Sequence, residues 1–159
     1  MPKSAHDFDF TSITGEPLPL SAFDGKALLV VNTASRCGLT PQYEGLEKLW
    51  ADYRGKGLVV LGVPSNDFGA QEPGTESEIQ GFCQTNYGVD FPMTSKVPVS
   101  GPQAHPFYAW AKDQLGAEAE PRWNFHKILV GKDGRLIRGF GSRTEPSDPD
   151  LVQAIDAAL

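Results

Sequence analysis

The 159-residue chain is 40% hydrophobic and 10% aromatic, so a core can form within one domain that spans residues 1–159. Fourteen basic and 20 acidic residues give a formal net charge of −6, which disfavours nucleic acid and anionic membranes as partners because both are polyanionic. Two cysteines are too few for the disulfide framework of a small secreted domain.

The amino terminus MPKSAHDFDF holds no apolar run of signal-peptide length, and no stretch of about 18 consecutive apolar residues could span a bilayer. We therefore expect a cytoplasmic protein, in a compartment where thiols stay reduced unless chemistry oxidises them. We also expect a fold that does not depend on its cysteines.

The first predicted elements are strands. Phe8 and Phe10 alternate with polar residues within residues 7–15, and the segment GEPLPL follows a turn, so this region predicts a short antiparallel pair. The apolar run ALLVVN, Ala27 to Asn32, is bounded by glycine and serine residues and predicts a buried central strand.

An amphipathic helix is predicted after Pro41, because large apolar side chains recur every three or four residues until Gly55 or Gly57. These side chains are Tyr43, Leu46, Leu49, Trp50 and Tyr53. The run LVVLGV, Leu58 to Val63, predicts a second buried strand. Two strands joined by a helical crossover form a βαβ unit, so these strands should be parallel.

The segment PSNDFGAQEPG has the composition of a loop. Thr75 is followed three residues later by Glu78, which is a capping-box pattern, and it predicts a short helix that extends to about Tyr87. Residues of low helix propensity weaken this helix. They are Gly81, Thr85 and Asn86.

The last third of the chain predicts a helix from His105 to Leu115, a β-hairpin of Lys127–Val130 and Arg135–Phe140 around GKDG, and a closing helix from Pro149 to Leu159. The predicted order is strand, helix, strand, and then helix, hairpin, helix. This is the layout of a thioredoxin-like α/β fold with one insertion between its halves. We therefore expect a central mixed β-sheet flanked by helices.

Cys37 lies between the end of the first buried strand and the start of a helix, where reactive groups gather in open α/β sheets. The first-turn amides of that helix and the neighbouring Arg36 can both favour the thiolate, which is the reactive form of cysteine. Position alone leaves two alternatives open, a nucleophile and an ordinary thiol near the core.

Cys83 lies far along the chain from Cys37, so the two form neither a CxxC redox motif nor a metal-binding spacing. From the residues alone, Cys83 is either a small buried apolar residue or a thiol that resolves an oxidised Cys37. A disulfide needs Cα atoms within about 7 Å, and a loop at a strand end and a distant helix are not expected to lie that close in the resting fold. If Cys83 resolves an oxidised Cys37, the weak helix from Gly81 to Asn86 would therefore have to open.

Other chemistries have little support in the sequence. There is no GxSxG motif, and His6, His105 and His126 lie in no recognisable motif beside a nucleophile, which disfavours a serine-hydrolase triad. The segment GKDGR lacks the glycine order of a P-loop or of a dinucleotide fingerprint. No nucleotide, metal or other cofactor is predicted.

Three segments resemble, in the same order, the motif blocks of the glutathione peroxidase family: VVNTASRCGLTPQYEGLEKLW, VPSNDFGAQEPGTESEIQGFC and WNFHKILVGKDG. The resemblance runs from about Asp7 to Leu159. It implies a thioredoxin fold and the reduction of hydroperoxides at a cysteine or selenocysteine. Taken singly, Gln71, Trp123 and Asn124 fit ordinary loop or packing roles, so only this resemblance gives them a common function.

The resemblance implies that Cys37 is the peroxidatic residue and that Gln71, Trp123 and Asn124 complete a catalytic tetrad. Cys83 matches the resolving cysteine of the thioredoxin-dependent branch. The expected function is therefore a thiol peroxidase that reduces hydrogen peroxide and organic hydroperoxides and is recycled by thioredoxin through an intramolecular disulfide.

Alternatives remain at this point. Direct reduction by glutathione is a rival within the same class. A redox sensor or relay, and a structural adaptor with an unreactive Cys37, are rivals from other classes. The short connection from Ala111 to Arg122 resembles that of family members without the oligomerisation loop, which implies a monomer.

Two residues depart from the family pattern. Ser65 replaces a cysteine that is found in many cysteine-type relatives, which leaves Cys83 as the remaining candidate for the resolving thiol. Asp67 replaces a common glutamine and would oppose ionisation of Cys37 if its carboxylate faced the site.

Overall fold

The computed structural model describes residues 3–159; Met1 and Pro2, with which the amino-terminal segment considered above begins, lie outside them. The chain first forms a small antiparallel pair of strands, β1 (Asp9–Thr11) and β2 (Pro17–Pro19). The antiparallel pair predicted from Phe8, Phe10 and the GEPLPL segment is confirmed.

A four-stranded sheet forms the centre of the molecule. Its strands are β3 (Ala27–Thr33), β4 (Leu58–Pro64), β5 (Lys127–Val130) and β6 (Leu136–Phe140), in the order β4-β3-β5-β6. β3 and β4 are parallel, whereas β5 is antiparallel to both β3 and β6. The mixed sheet, its parallel βαβ unit and its hairpin all match the predictions.

Four helices cover the sheet: α1 (Gln42–Tyr53), α2 (Glu76–Tyr87), α3 (Pro106–Leu115) and α4 (Pro149–Ala158). Alternate residues of β3 divide the core between two faces, because successive strand side chains point in opposite directions. Leu29 and Val31 pack with α1, α2 and α4, while Leu28 and Val30 pack with α3. Within residues 3–159, no helix is long and apolar enough to cross a membrane.

Local signals set the limits of α2, the helix that carries Cys83. The Glu78 amide donates to Thr75 Oγ1 at 3.3 Å, and the Thr75 amide donates to Glu78 Oε1 at 3.0 Å. This reciprocal capping box satisfies two amides that the first helical turn leaves free. Gly88 ends the helix in the left-handed conformation, with φ of 61°. Both limits agree with the predicted helix.

Candidate active site

The sheet register brings three separate chain segments to one edge. Thr33, the last residue of β3, is paired with Pro64, the last residue of β4. Because β5 is antiparallel to β3, its first residue, Lys127, lies at the same end and is paired with Val31. The segments that follow β3 and β4 and the segment that precedes β5 therefore meet there. These segments carry Cys37, Gln71, and Trp123 with Asn124, respectively.

Cys37 lies in a hydrogen-bonded turn between β3 and α1. Its amide donates to Thr40 Oγ1 at 3.0 Å, and the Thr40 hydroxyl donates to the Ala34 carbonyl at 2.8 Å. The Leu39 amide donates to Cys37 Sγ at 3.3 Å. The turn thus aims one backbone donor at the sulfur. Cys37 is 8% exposed as a residue and lines a cavity.

The hydrogen-bond donor at Cys37 differs from the predicted one. The amide that reaches the sulfur belongs to Leu39, in the turn before α1, and not to the first turn of the helix. Arg36 lines a separate cavity with Glu72 and Glu78. The Arg36 backbone amide donates to the Gln71 carbonyl at 3.0 Å and so joins the two loops.

Gln71 and Asn124 form a direct pair. Asn124 is fully buried, and its Nδ2 donates to Gln71 Oε1 at 3.0 Å. This bond occupies the side-chain oxygen of Gln71 and orients the amide, so the Gln71 NH₂ group is the part that remains to donate. Asn124 therefore positions Gln71 in this state.

Trp123 packs against the loop that carries Gln71. A Cβ placed on Gly69 would lie 3.1 Å from Trp123 Cη2 and 3.4 Å from Gln71 Cδ, and Gly69 has φ of 66°. Glycine at position 69 thus permits both the backbone conformation and the close approach of the indole ring. Trp123 is 36% exposed. It lines a cavity of about 590 Å³ together with Cys37, so the structure brings these two predicted residues together.

Asn32 is a positioning residue that the sequence analysis treated only as the end of a strand. It is fully buried, and its Nδ2 donates to the Trp123 carbonyl at 3.0 Å while its Oδ1 accepts from the His126 amide at 3.1 Å. The Phe125 amide donates to the Asn32 carbonyl at 2.6 Å, and Phe125 has a positive φ of 64°. The signal in the sequence is an asparagine at the end of an otherwise apolar strand.

Cys83 does not reach the Cys37 cavity in this structure. Both cysteines are free thiols. Cys83 is 1% exposed on the inner face of α2, and it borders a different cavity from the one lined by Cys37. Burial raises the pKa of Cys83 to about 11. The resting Cys83 is therefore a protonated, packed thiol.

Two carboxyl groups on the β4–α2 loop have different surroundings. Asp67 accepts hydrogen bonds from the amides of Val99 at 2.7 Å and Ser100 at 3.1 Å, so its charge is engaged by a neighbouring loop. Glu72 is buried, and desolvation raises its pKa. Asp67 thus anchors a neighbouring loop, and it does not line the cavity that Cys37 borders.

Known proteins resemble this chain along most of its length. Residues 5–112 match the family model described as Glutathione peroxidase. A glutathione peroxidase of Lactococcus lactis is 46% identical over 145 residues, which cover 90% of this chain and 92% of that protein. A glutathione peroxidase-like peroxiredoxin of Schizosaccharomyces pombe is 49% identical, covering 83% of this chain and 85% of that protein. A hydroperoxy fatty acid reductase of Synechocystis is 44% identical, covering 90% and 89%.

Solved structures show the same fold. The apo crystal structure of Trgpx has a TM-score of 0.78 and 35% identity, covering 99% of this chain and 96% of that chain. The crystal structure of T. cruzi GPX1 has a TM-score of 0.75 and 31% identity, covering 97% of each chain. A thioredoxin-family protein of Chlorobium tepidum, at 13% identity, shares the fold alone, with a TM-score of 0.72 and coverage of 99% and 97%. The predicted thioredoxin-like fold is confirmed.

Proposed function

Because the chain belongs to the glutathione peroxidase family and is a thiol peroxidase, we propose that Cys37 is the residue that attacks the hydroperoxide. The observation that carries this assignment is the position of the sulfur. It accepts the Leu39 amide and borders a cavity whose wall includes Trp123. Gln71 and Asn124 are paired on the adjoining loops.

Ionisation of the sulfur supplies only part of the catalysis. Full ionisation of an ordinary thiol at pH 7 raises its thiolate fraction about 30-fold, which is about 2 kcal/mol. Hydrogen-bond donors aimed at the charge that develops in the transition state supply about 3 kcal/mol each. The Gln71 NH₂ group and the Trp123 indole N–H are the proposed donors, and Asn124 holds Gln71 in place.

The proposed first step oxidises Cys37 by two electrons. Its thiolate attacks the terminal peroxide oxygen, the O–O bond breaks, and the departing oxygen leaves as an alkoxide or hydroxide that takes up a proton to become alcohol or water. The sulfur then carries the transferred oxygen as a sulfenic acid. The proposed substrates are hydrogen peroxide and organic hydroperoxides, and one relative is itself named a hydroperoxy fatty acid reductase.

In the proposed second step, the Cys83 sulfur attacks the sulfenic sulfur of Cys37, water leaves, and a disulfide forms. The dithiol of thioredoxin then reduces this disulfide by exchange. Support comes from relatives named peroxiredoxins and from the position of Cys83 on the weak helix α2. We place the reaction in a monomer in the cytoplasm, where a thioredoxin pool is kept reduced.

Two cysteine variants test these roles. Cys37→Ser should abolish peroxide consumption. Cys83→Ser should consume one equivalent of hydroperoxide per chain and then fail to turn over with thioredoxin. Steady-state assays with thioredoxin and a single-turnover titration measure both results. Full thioredoxin-linked turnover by Cys83→Ser would remove its resolving role.

Comparing steady-state rates of the wild-type protein with thioredoxin and with glutathione identifies the reductant. Faster turnover with glutathione, retained in Cys83→Ser, would replace the thioredoxin cycle by direct reduction of the sulfenic acid. Slow turnover with both, together with a mixed disulfide trapped between Cys37 and another protein, would favour a redox relay.

A further inference from the structure

The cavity at Cys37 is larger than hydrogen peroxide requires. Its volume of about 590 Å³ lies within the range of sites that hold small organic ligands. Part of its lining is apolar, from the side chains of Leu39 and Trp123, and the remaining residues are Cys37, Gly38, Ser142 and Arg143. A hydroperoxide with a carbon chain fits this surface better than a fully polar one, because an apolar chain would bury area against Leu39 and the indole ring.

Arg143 is the one charged side chain among the residues that line this cavity. It is exposed. Throughout residues 3–159, no carboxylate lies within 4.0 Å of its guanidinium group. A cation without an acidic partner therefore borders the cavity into which Cys37 opens, in a chain whose formal net charge is −6.

Buried hydrogen bonds fix the backbone on both sides of Arg143. Lys127 is fully buried, and its Nζ donates to the carbonyl of Ser142 at 3.2 Å and to the carbonyl of Thr144 at 2.5 Å. Its third bond goes to Gln42 Oε1 at 2.6 Å, and Gln42 Nε2 donates to the Ser142 carbonyl at 2.8 Å. The three donors of the ammonium group thus have three acceptors. The loop that carries Arg143 is preorganised, which lowers the cost of ordering it around a ligand.

From this arrangement we infer that Arg143 determines specificity by binding the carboxylate of an anionic, amphipathic hydroperoxide. The apolar chain of such a substrate contacts Leu39 and Trp123, and its peroxide group reaches Cys37. The planar guanidinium group matches a carboxylate in shape and can donate two parallel hydrogen bonds to it. This inference rests on the proposed role of Cys37 and narrows the substrate class to hydroperoxides that carry an acid group.

The test compares two substrates that differ only in charge, the hydroperoxide of linoleic acid and that of its methyl ester, both below the concentration at which micelles form. The measured quantity is the second-order rate constant for oxidation of Cys37, so the reductant does not enter. Wild-type protein should prefer the acid, and Arg143→Gln should lower the acid-to-ester ratio about tenfold, as expected for one charge-assisted bidentate contact. Raising the salt concentration should lower the wild-type ratio.

Arg135→Gln is the matched control, because Arg135 lies beyond β5 in the hairpin turn and does not line the cavity. It should keep the wild-type ratio. An unchanged ratio in Arg143→Gln, or no preference for the acid in the wild-type protein, would overturn this inference and leave the peroxidase mechanism intact. Absence of Cys37 oxidation by either substrate and by hydrogen peroxide would instead overturn the proposed function.

Discussion

At the residue scale, the buried side-chain amide of Asn32 holds the backbone that carries Trp123. Asn32 binds the backbone on both sides of Asn124, at the Trp123 carbonyl and at the His126 amide. Positioning of this kind matters because small displacements of a catalytic group are costly, often about 100-fold in rate. Asn32 thus connects the central strand to Trp123, one of the donors proposed to act at Cys37.

Asn32→Leu should lower the rate constant for peroxide oxidation of Cys37 by about 10-fold to 100-fold, because two backbone groups lose their partner and Trp123 shifts. Stopped-flow fluorescence with hydrogen peroxide measures this rate. Val30→Ala, two residues away on the same strand and the same face, is the control for lost stability. A similar rate loss in Val30→Ala would show that the effect of Asn32 is general destabilisation.

The Gln71–Asn124 hydrogen bond predicts strong coupling between these two residues. Asn124→Ala should slow Cys37 oxidation by about 100-fold in the wild-type background and by much less in Gln71→Ala, because Asn124 acts by orienting Gln71. A double-mutant cycle on the same rate constant measures the coupling. Additive losses would mean that Asn124 contacts the reacting atoms independently.

Sequence patterns alone predict a role for some of the site residues and not for others. Cys37 could be singled out by its place after a buried strand, whereas Gln71, Trp123 and Asn124 gained a role only from the family resemblance. Asn32 and Lys127 are polar residues at or near the ends of strands that hydrophobic patterns predict correctly. The pattern therefore assigns each of them a place in a strand and no further role. Their functions depend on partners about 90 and 15 residues away along the chain, and local patterns do not report such contacts.

At the element scale, the proposed cycle requires two states of α2, a closed helix in the resting protein and an opened segment when the disulfide forms. In the resting protein it is a complete helix with a capping box and a left-handed glycine at its end. For a Cys37–Cys83 disulfide to form, the proposed cycle requires this helix to open and bring Cys83 out of the core. Its interior glycine, Gly81, makes that opening easier, because glycine costs a helix about 1 kcal/mol relative to alanine.

Gly81→Ala should slow disulfide formation about fivefold without slowing the initial oxidation of Cys37. A Cβ at position 81 would meet no atom within 4 Å, so the substitution stabilises α2 without a clash. The reverse substitution on the exposed face, Gln84→Gly, should accelerate disulfide formation. Rapid acid quenching followed by thiol labelling measures the rate. Equal rates in the three proteins would contradict helix opening as the step that controls resolution.

The limits of the elements were predictable because caps, glycines and apolar periodicity act within a few residues of each boundary. α1, α2 and the hairpin follow such local signals, and their predicted and observed limits agree within a residue or two. The separation of Cys37 and Cys83 into different cavities is a property of packing between elements. In this structure both cysteines are free thiols that border different cavities.

At the scale of the whole molecule, buried histidine makes stability depend on pH. His126 is 7% exposed, its Nε2 lies 2.9 Å from the Glu118 carbonyl, and burial lowers its pKa to about 4. In the unfolded chain the pKa of His126 is near 6.5. Between pH 4 and pH 6.5 the unfolded chain therefore binds a proton at His126 that the folded chain does not bind. Stability from this group is therefore complete above pH 6.5 and is lost as the pH falls toward 4.

His126→Gln should remove a loss of up to about 3 kcal/mol in the free energy of unfolding between pH 6.5 and pH 4. Denaturant titrations of both proteins at several pH values measure it, and the difference between the two curves isolates His126. This subtraction matters because Glu72, whose pKa is raised by burial, contributes with the opposite sign in part of this range. Parallel curves would mean that His126 titrates alike in both states.

The proposed peroxidase cycle as a whole depends on the sulfur of Cys37, in the turn after β3. A hydroperoxide oxidises this sulfur, and the thiol of Cys83 then forms a disulfide with it. The most direct measurement treats the reduced wild-type protein with one equivalent of hydrogen peroxide, blocks free thiols with an alkylating agent, and maps the linked peptides by mass spectrometry. The proposed cycle predicts one product, a peptide containing Cys37 joined to a peptide containing Cys83. Recovery of Cys37 as an alkylated free thiol would contradict it.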